Sequence, residues 1–334
     1  MDIQSHLTQL LGAHQADPVE TLQELWSGYG SIVRFRLDYS SKLATGPSSV
    51  VVKTIQPPEQ VNHPRGWNTP LSHQRKLKSY EVEAHWYREW ANLCETSCKV
   101  AHCYGTFTDH QRHLTYIILE DLDASGYYLR ADDLSPQQSK VCLRWLANFH
   151  ARFLTRAPTE SWPEGLWPKG SYWHLDTRPD ELDKMTDGAL KQNAFVIDQR
   201  LHQCQYKTLV HGDAKVANFC FSEDGQKVAA VDFQYVGGGC GMKDVVYFLG
   251  SCLTETECEK YCPTLLNEYF LALREAAANS PAKDLNLDEL ECEWRALFPF
   301  AWADFQRFIL GWSPNHKKNN DFSQQQTRLA LSAL

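Results

Sequence analysis

Over the first 120 residues, apolar and polar positions alternate with a period of two more often than they follow a helical period. Residues 32–39 place Ile32, Arg34 and Arg36 on one side and Val33, Phe35 and Leu37 on the other, as a half-buried strand does. Residues 48–55 form a β-branched run that stops at Pro57 and Pro58, and extended runs follow over 100–108 and 114–119. The exception is 77–94, where Tyr80, Ala84, Tyr87, Ala91 and Cys94 recur at helical spacing and predict an amphipathic helix. Before it, a polar stretch punctuated by Pro64, Gly66 and Pro70 predicts a long loop. The pattern breaks at 120–126, and beyond it helical periodicity dominates. Ser135-Pro136 predicts a capped helix start, with Cys142, Leu146, Phe149 and Phe153 as the buried stripe. A segment rich in Trp, Pro and Gly (161–174), helices to about residue 205, a compact β segment (209–233) and further helices complete the chain. The expected class is α+β, with a small β-rich lobe around one main helix (1–119), a connector (120–126) and a larger, mostly helical lobe (127–334).

The 334 residues suffice for two such lobes. Lysine and arginine total 33 against 41 acidic residues, a net charge of −8, and no basic run stands out. The counterion release that drives nucleic-acid binding therefore has no source, and no nucleic-acid partner is expected. Eleven cysteines, an odd number with no CxxC pair, read as cytosolic thiols. Neither the group at 94, 98 and 103 nor that at 252, 258 and 262 has histidines at zinc-finger spacing. No apolar run approaches the roughly 18 residues of a spanning helix, and the first residues lack a leader pattern. These readings predict a cytoplasmic protein without a membrane partner.

Candidate chemistry concentrates in 209–234, which holds His211-Gly212-Asp213, Lys215, Asn218 and then Asp232-Phe233-Gln234. Between them, two short apolar runs flank Asp224-Gly225, a strong hairpin signal. Asn218 and Asp232 are equidistant from Gly225, so a hairpin tipped there brings them together beside Asp213. Two carboxylates and an amide oxygen make a hard-oxygen site suited to Mg²⁺.

In order and spacing, His-x-Asp-x-x-x-x-Asn, a hairpin and Asp-Phe resemble the catalytic and metal-binding segments of the protein-kinase-like fold. Gly212 and Gln234 are more similar to its small-molecule branch: aminoglycoside phosphotransferases, choline kinases and, most closely, the ecdysteroid-kinase-like family. The resemblance spans about 28–253. It implies a bilobal protein-kinase-like fold and an ATP- and Mg²⁺-dependent phosphotransferase acting on the hydroxyl of a small-molecule alcohol. By that resemblance Asp213 is the base, Asn218 and Asp232 hold Mg²⁺, Lys215 neutralises the transferred group and His211 orients the loop. Lys53 takes the α/β-phosphates and requires a glutamate on the following helix. Glu83 lies about 60° from the centre of the apolar stripe and Glu81 about 100°, which selects Glu83. The Glu120 carbonyl and Leu122 N–H would read the adenine. Gly28 and Ser31 fall in a turn where a phosphate-covering loop belongs, although two glycines depart from G-x-G-x-x-G. A catalytically silent nucleotide-binding protein is the first alternative. A metal-dependent hydrolase using His211, Asp213 and Asp232 is the second, and it leaves Lys53 and Glu83 unexplained.

Other features are weaker. Gly237-Gly238-Gly239-Cys240-Gly241 lacks the Gly-Lys-Ser/Thr ending of a P-loop and reads as a short turn. Asp244 supports the catalytic loop in the wider fold, and His150 shares a helix with the core stripe and reads as packed. Trp162, Trp167 and Trp173 either cage a cationic acceptor or pack. The acidic surplus favours a cationic acceptor or serves solubility alone.

Overall fold

The β-branched run at Ser49–Ile55 is the middle strand of a five-stranded antiparallel sheet in the computed structural model, which describes residues 2–40, 46–58, 69–159 and 161–334. In chain order, α1 (Ile3–Leu11), β1 (Gln15–Glu24), β2 (Gly30–Asp38), β3 (Ser49–Ile55), α2 (Pro70–His85), β4 (Cys103–Asp109) and β5 (Leu114–Glu120) build this part, with sheet order β1-β2-β3-β5-β4. Alternation splits β3 between two environments. Val50 and Val52 join a core with Leu7 of α1, Phe35, Leu37 and Ile118. Val51 and Lys53 project from the other face and line a cleft.

Two elements carry little signal in the apolar pattern. α1 is a short N-terminal helix, and β1 is an edge strand that is exposed along nearly its whole length. Its pairing with β2 is broken by two register shifts, so the ladder and not alternation makes it a strand. α2 starts at Pro70, well before the apolar period at Leu77, because Thr69 caps the N–H of Ser72 at 3.2 Å and proline suits the first turn. Pro70 thus opens a helix, whereas Pro64 and Gly66 of the expected loop lie outside the described residues. After α2 the chain widens into a π turn at Trp86–Trp90.

Helices then dominate. α3 (Pro136–Phe153) opens on a capping box formed by Ser135 and Gln138, and Cys142, Leu146, Phe149 and Phe153 are all buried. There follow β6 (Thr155–Arg156), α4 (Pro179–Lys184), α5 (Ala189–Gln192), α6 (Ala194–His202), β7 (Tyr206–Val210), β8 (Phe219–Phe221), β9 (Val228–Ala230), β10 (Gly237–Gly239), α7 (Met242–Cys252), α8 (Glu255–Ala277), α9 (Leu287–Trp312) and α10 (Asp321–Ser332). Gly237–Gly239, expected as a turn, is a strand paired with β7. A Cβ at Gly237 would stand 2.1 Å from the Trp167 carbonyl oxygen, so glycine there serves close backbone packing.

The β8–β9 hairpin pairs Phe219 with Ala230 and Phe221 with Val228, which centres it between Asp224 and Gly225. Val231, not Asp232, therefore faces Asn218, and its N–H donates to the Asn218 carbonyl at 3.0 Å. Asp232 comes one step later, where the backbone turns left-handed (φ 67°). A single core joins the sheet to the helices. Trp86 stacks on Phe233 with ring centroids 4.7 Å apart, and Phe149 packs beside them. Among the described residues no helix is long and apolar enough to cross a membrane.

Candidate active site

β7 ends at Val210 and delivers His211-Gly212-Asp213 into the interior. Asp244, wholly buried in the first turn of α7, accepts the N–H groups of His211 (2.6 Å) and Gly212 (3.0 Å). His150 Nε2 lies 3.1 Å from the same carboxylate, and its Nδ1 lies 2.7 Å from the Tyr269 hydroxyl. A Cβ at Gly212, whose φ is 79°, would meet the Tyr235 carbonyl oxygen at 2.1 Å, so only glycine allows this approach. His211 Nδ1 accepts the Asp213 N–H at 3.3 Å, which leaves Nε2–H to donate to the Val231 carbonyl at 2.9 Å. This histidine is fully buried and braces the loop against the hairpin.

Asp213 then faces the cleft. Lys215 Nζ donates to its Oδ2 at 3.0 Å, and Asn218 Nδ2 donates to both its carbonyl (2.8 Å) and its Oδ2 (3.0 Å). With its N–H donors spent on Asp213, Asn218 has Oδ1 to offer a cation. Across the gap, Asp232 Oδ1 accepts from Gln234 Nε2 at 2.7 Å and lies 3.8 Å from Lys53 Nζ. Burial raises the Asp213 carboxyl above its ordinary value; Lys215 opposes this only in part. Burial acts on Asp232 too, but Lys53, Lys76 and Lys215 outweigh it and hold that carboxyl low.

Lys53 and Glu83 meet as expected. Lys53 Nζ donates to Glu83 Oε2 at 2.6 Å, and both side chains are buried. Burial raises the Glu83 carboxyl despite the lysine. These residues, with Asn218 and Asp232, border a cavity of about 610 Å³ whose far wall includes Glu120 and Leu122. The acidic side chains of that connector are already engaged. Glu120 accepts from Lys99 Nζ (2.6 Å) and the His102 N–H (2.9 Å), and Asp121 accepts from Arg34 Nε (2.9 Å) and Ser49 Oγ (2.7 Å). Gly28 and Ser31 are placed outside this cavity; Leu22, Gln23 and Leu25 form that edge instead.

A second cavity of about 390 Å³ opens on Asp213, and the two share Gln23, Leu25, Lys215, Asp232 and Gln234. It brings in residues that the apolar pattern passed over. Lys76 Nζ donates to Gln234 Oε1 at 2.8 Å, and Arg75, Arg178 and Tyr172 complete this wall. Lys76 sits two turns before Glu83, so helical spacing places it on the same face once α2 is known to start at Pro70. The three tryptophans form no cage. Trp173 is wholly buried with Nε1–H on Asp304 (3.1 Å), and Trp167 Nε1–H is held by the Gln234 carbonyl (2.8 Å).

The model of the ecdysteroid kinase-like family matches residues 29–162 and 169–280, most of the chain. The chain belongs to the ecdysteroid kinase-like family. No curated protein matches it. Among solved structures, the amicoumacin kinase hAmiN in complex with AMP-PNP, Ca²⁺ and Ami is similar at 13% identity and a TM-score of 0.51, over 99% of this chain and 93% of that one. A microcompartment-associated aminopropanol kinase gives 13% and 0.49 (97% and 92% covered). The choline kinase LicA from Streptococcus pneumoniae gives 12% and 0.42 (99% and 97%). The first of these, with the family match, makes the fold α+β and protein-kinase-like, as the resemblance carried by 211–234 implied.

Proposed function

We propose that this family member is an ATP- and Mg²⁺-dependent phosphotransferase that moves the γ-phosphoryl group to a hydroxyl of a small-molecule alcohol. One observation carries the reading: Lys53, Glu83, Asn218 and Asp232 converge on one cavity while Asp213 opens on its neighbour, the two meeting at Lys215 and Asp232. The donors suit Mg²⁺. A site of one carboxylate, Asp232, and one amide oxygen, Asn218, offers hard oxygen donors and leaves room for the waters and phosphate oxygens that Mg²⁺ retains. Bound by Asn218 and Asp232, the ion would supply charge neutralisation for the polyphosphate.

The remaining work falls to the protein. Lys53, held by Glu83, fixes the α/β-phosphates, and the Glu120 carbonyl and Leu122 N–H read the adenine; both residues line the same cavity as Lys53. The acceptor oxygen forms a bond to the γ-phosphorus as the bond to the β–γ bridging oxygen breaks; ADP leaves with that electron pair and the hydroxyl proton passes to Asp213. Lys215 offsets charge on the phosphoryl oxygens. In this reading 1–119 and 127–334 act as two lobes about 120–126. Isothermal titration with AMP-PNP and Mg²⁺, then ATP turnover over a panel of alcohols, is the test. Absence of nucleotide binding would sink the proposal, and binding without turnover on any alcohol would favour the silent nucleotide-binding protein.

A further inference from the structure

The smaller cavity has an electrostatic character that phosphoryl transfer alone does not require. Its charged lining is Arg75, Lys76, Arg178 and Lys215 against two carboxylates, Asp213 and Asp232. Lys215 also borders the larger cavity, whereas Arg75, Lys76 and Arg178 do not. Lys76 is committed to Gln234 beside Asp232, which leaves two arginines on the side away from the nucleotide. They come from distant parts of the chain, and several of their acceptors are neutral. Arg75 donates to the Thr177 carbonyl (2.6 Å) and Ser72 Oγ (3.2 Å), and Arg178 Nε donates to the Tyr172 carbonyl (2.9 Å). Such acceptors set direction without cancelling charge. Glu181 approaches Arg178 at 3.5 Å. Burial, then the charge of Arg178, makes the cationic form of Arg75 less favourable than usual, so an added anion relieves a repulsion already present. Tyr172, Tyr235 and Tyr247 wall the space between these arginines and Asp213, with the Tyr172 and Tyr235 rings 6.0 Å apart.

We infer that this cavity takes an alcohol bearing an oxyanion, a carboxylate or a sulfo group, which Arg75 and Arg178 hold while a planar body lies among the tyrosines and the hydroxyl faces Asp213. The inference deepens the phosphotransferase reading and rests on it for the fate of the hydroxyl. It opposes a cationic acceptor, which would enter a cavity where cations outnumber carboxylates.

Calorimetric titration of the full chain, with and without ADP and Mg²⁺, tests it with four probes of one shape: para-(hydroxymethyl)benzoate, para-(hydroxymethyl)benzenesulfonate, para-(hydroxymethyl)benzamide and para-(aminomethyl)benzyl alcohol. At least one of the two anions should bind about tenfold more tightly than the amide, with the amine weakest. Arg75→Gln should bring that anion to within about twofold of the amide, and Arg75→Lys should keep part of the preference. Arg75 is half-buried, so its variants keep the test readable should Arg178→Gln fail to fold. Equal binding of amide and anions, tightest binding of the amine, or an anion preference that survives Arg75→Gln would overturn the inference. ADP titration separates the two ideas: ADP binding with no anion preference defeats this one, and anion preference without ADP binding supports the site while defeating the transfer reading.

Discussion

Asp213 and Asp232 share one cleft and one lysine, Lys215, yet the segments that carry them leave the two carboxyls on opposite sides of their ordinary value. Burial pushes both upward. What differs is the company. The loop after β7 sets Asp213 against Lys215 and a like-charged neighbour, Asp232, whereas the left-handed turn after β9 swings Asp232 toward Lys53 and Lys76, whose charges outweigh its burial. A carboxylate kept firmly ionised suits a cation, and one whose proton affinity is raised suits proton acceptance. In the proposed reading the same residue type is thus divided between two tasks by the charges set around each.

The largest effect is expected from Asp213→Asn. Turnover should fall by about a thousandfold, within the range of lost general-base catalysis, with ADP affinity kept within a few-fold. Turnover near wild type would refute the base assignment. The wild-type kcat/KM should also drop on acidification through a pKa above that of an ordinary aspartate, since only the ionised form accepts a proton. The sign for stability is opposite. A carboxyl whose folded pKa is raised contributes stability that is fully present below its unfolded value and is lost as pH rises through the folded one. Asp213→Asn should therefore raise the Tm at pH 7 relative to wild type, and the gap should close toward pH 4; a gap that widens on acidification would reverse the assigned shift.

Next comes the cation side of the contrast. Lys53→Met removes the first of the lysines that hold Asp232 down and strands Glu83 in the interior, at a cost of about 3–5 kcal/mol for breaking a buried pair. Chemical denaturation checks this, and Lys53→Met with Glu83→Leu should recover most of the loss. If the double variant is as unstable as the single one, packing and not the stranded charge is at fault. Asp232→Ala should act on ligand and not on fold, weakening ADP more than about tenfold in the presence of Mg²⁺ and little in its absence. Equal losses in both titrations would remove Asp232 from the metal site.

The legible parts of this site are those encoded locally. Asp213, Asn218 and Asp232 lie within one loop and hairpin, so spacing alone brought them together, although the hairpin centre falls half a residue before Gly225 and sets Val231, not Asp232, opposite Asn218. Lys53 was readable only through the family resemblance, whereas Glu83 followed from the helical period of α2, which turns it toward the apolar stripe. Lys76 escaped because the first turns of α2 border the cleft and carry no apolar stripe to announce the helix. Arg178 escaped because only tertiary packing sets it beside Arg75, a relation with no trace in spacing. Gly28 and Ser31 rest on residue type alone. They fit a phosphate-covering loop in type; Ser31 lies in β2 opposite Thr54, and the residues that border the cavity at this end are Leu22, Gln23 and Leu25.

The smallest expected effect probes how the contrast is maintained. Gln234 stands where the protein-kinase motif has glycine, and it joins both sides: its Nε2 donates to Asp232 at 2.7 Å, and its Oε1 accepts from Lys76 at 2.8 Å and Ser79 at 3.2 Å. Burial lowers Lys76 to about 8, with Asp232 resisting. Gln234→Gly takes an acceptor from the protonated amine, so the lysine should lose its proton at a lower pH and Asp232 should lose one of its restraining charges earlier. ADP affinity with Mg²⁺ should fall about fivefold at pH 7, the net worth of roughly one ordinary hydrogen bond, and the alkaline decline in affinity should begin at lower pH than in wild type. An affinity and pH profile unchanged by Gln234→Gly would mean that Lys53 and Lys215 suffice to hold Asp232 ionised, and that the glutamine serves only to pack α2 against the cleft.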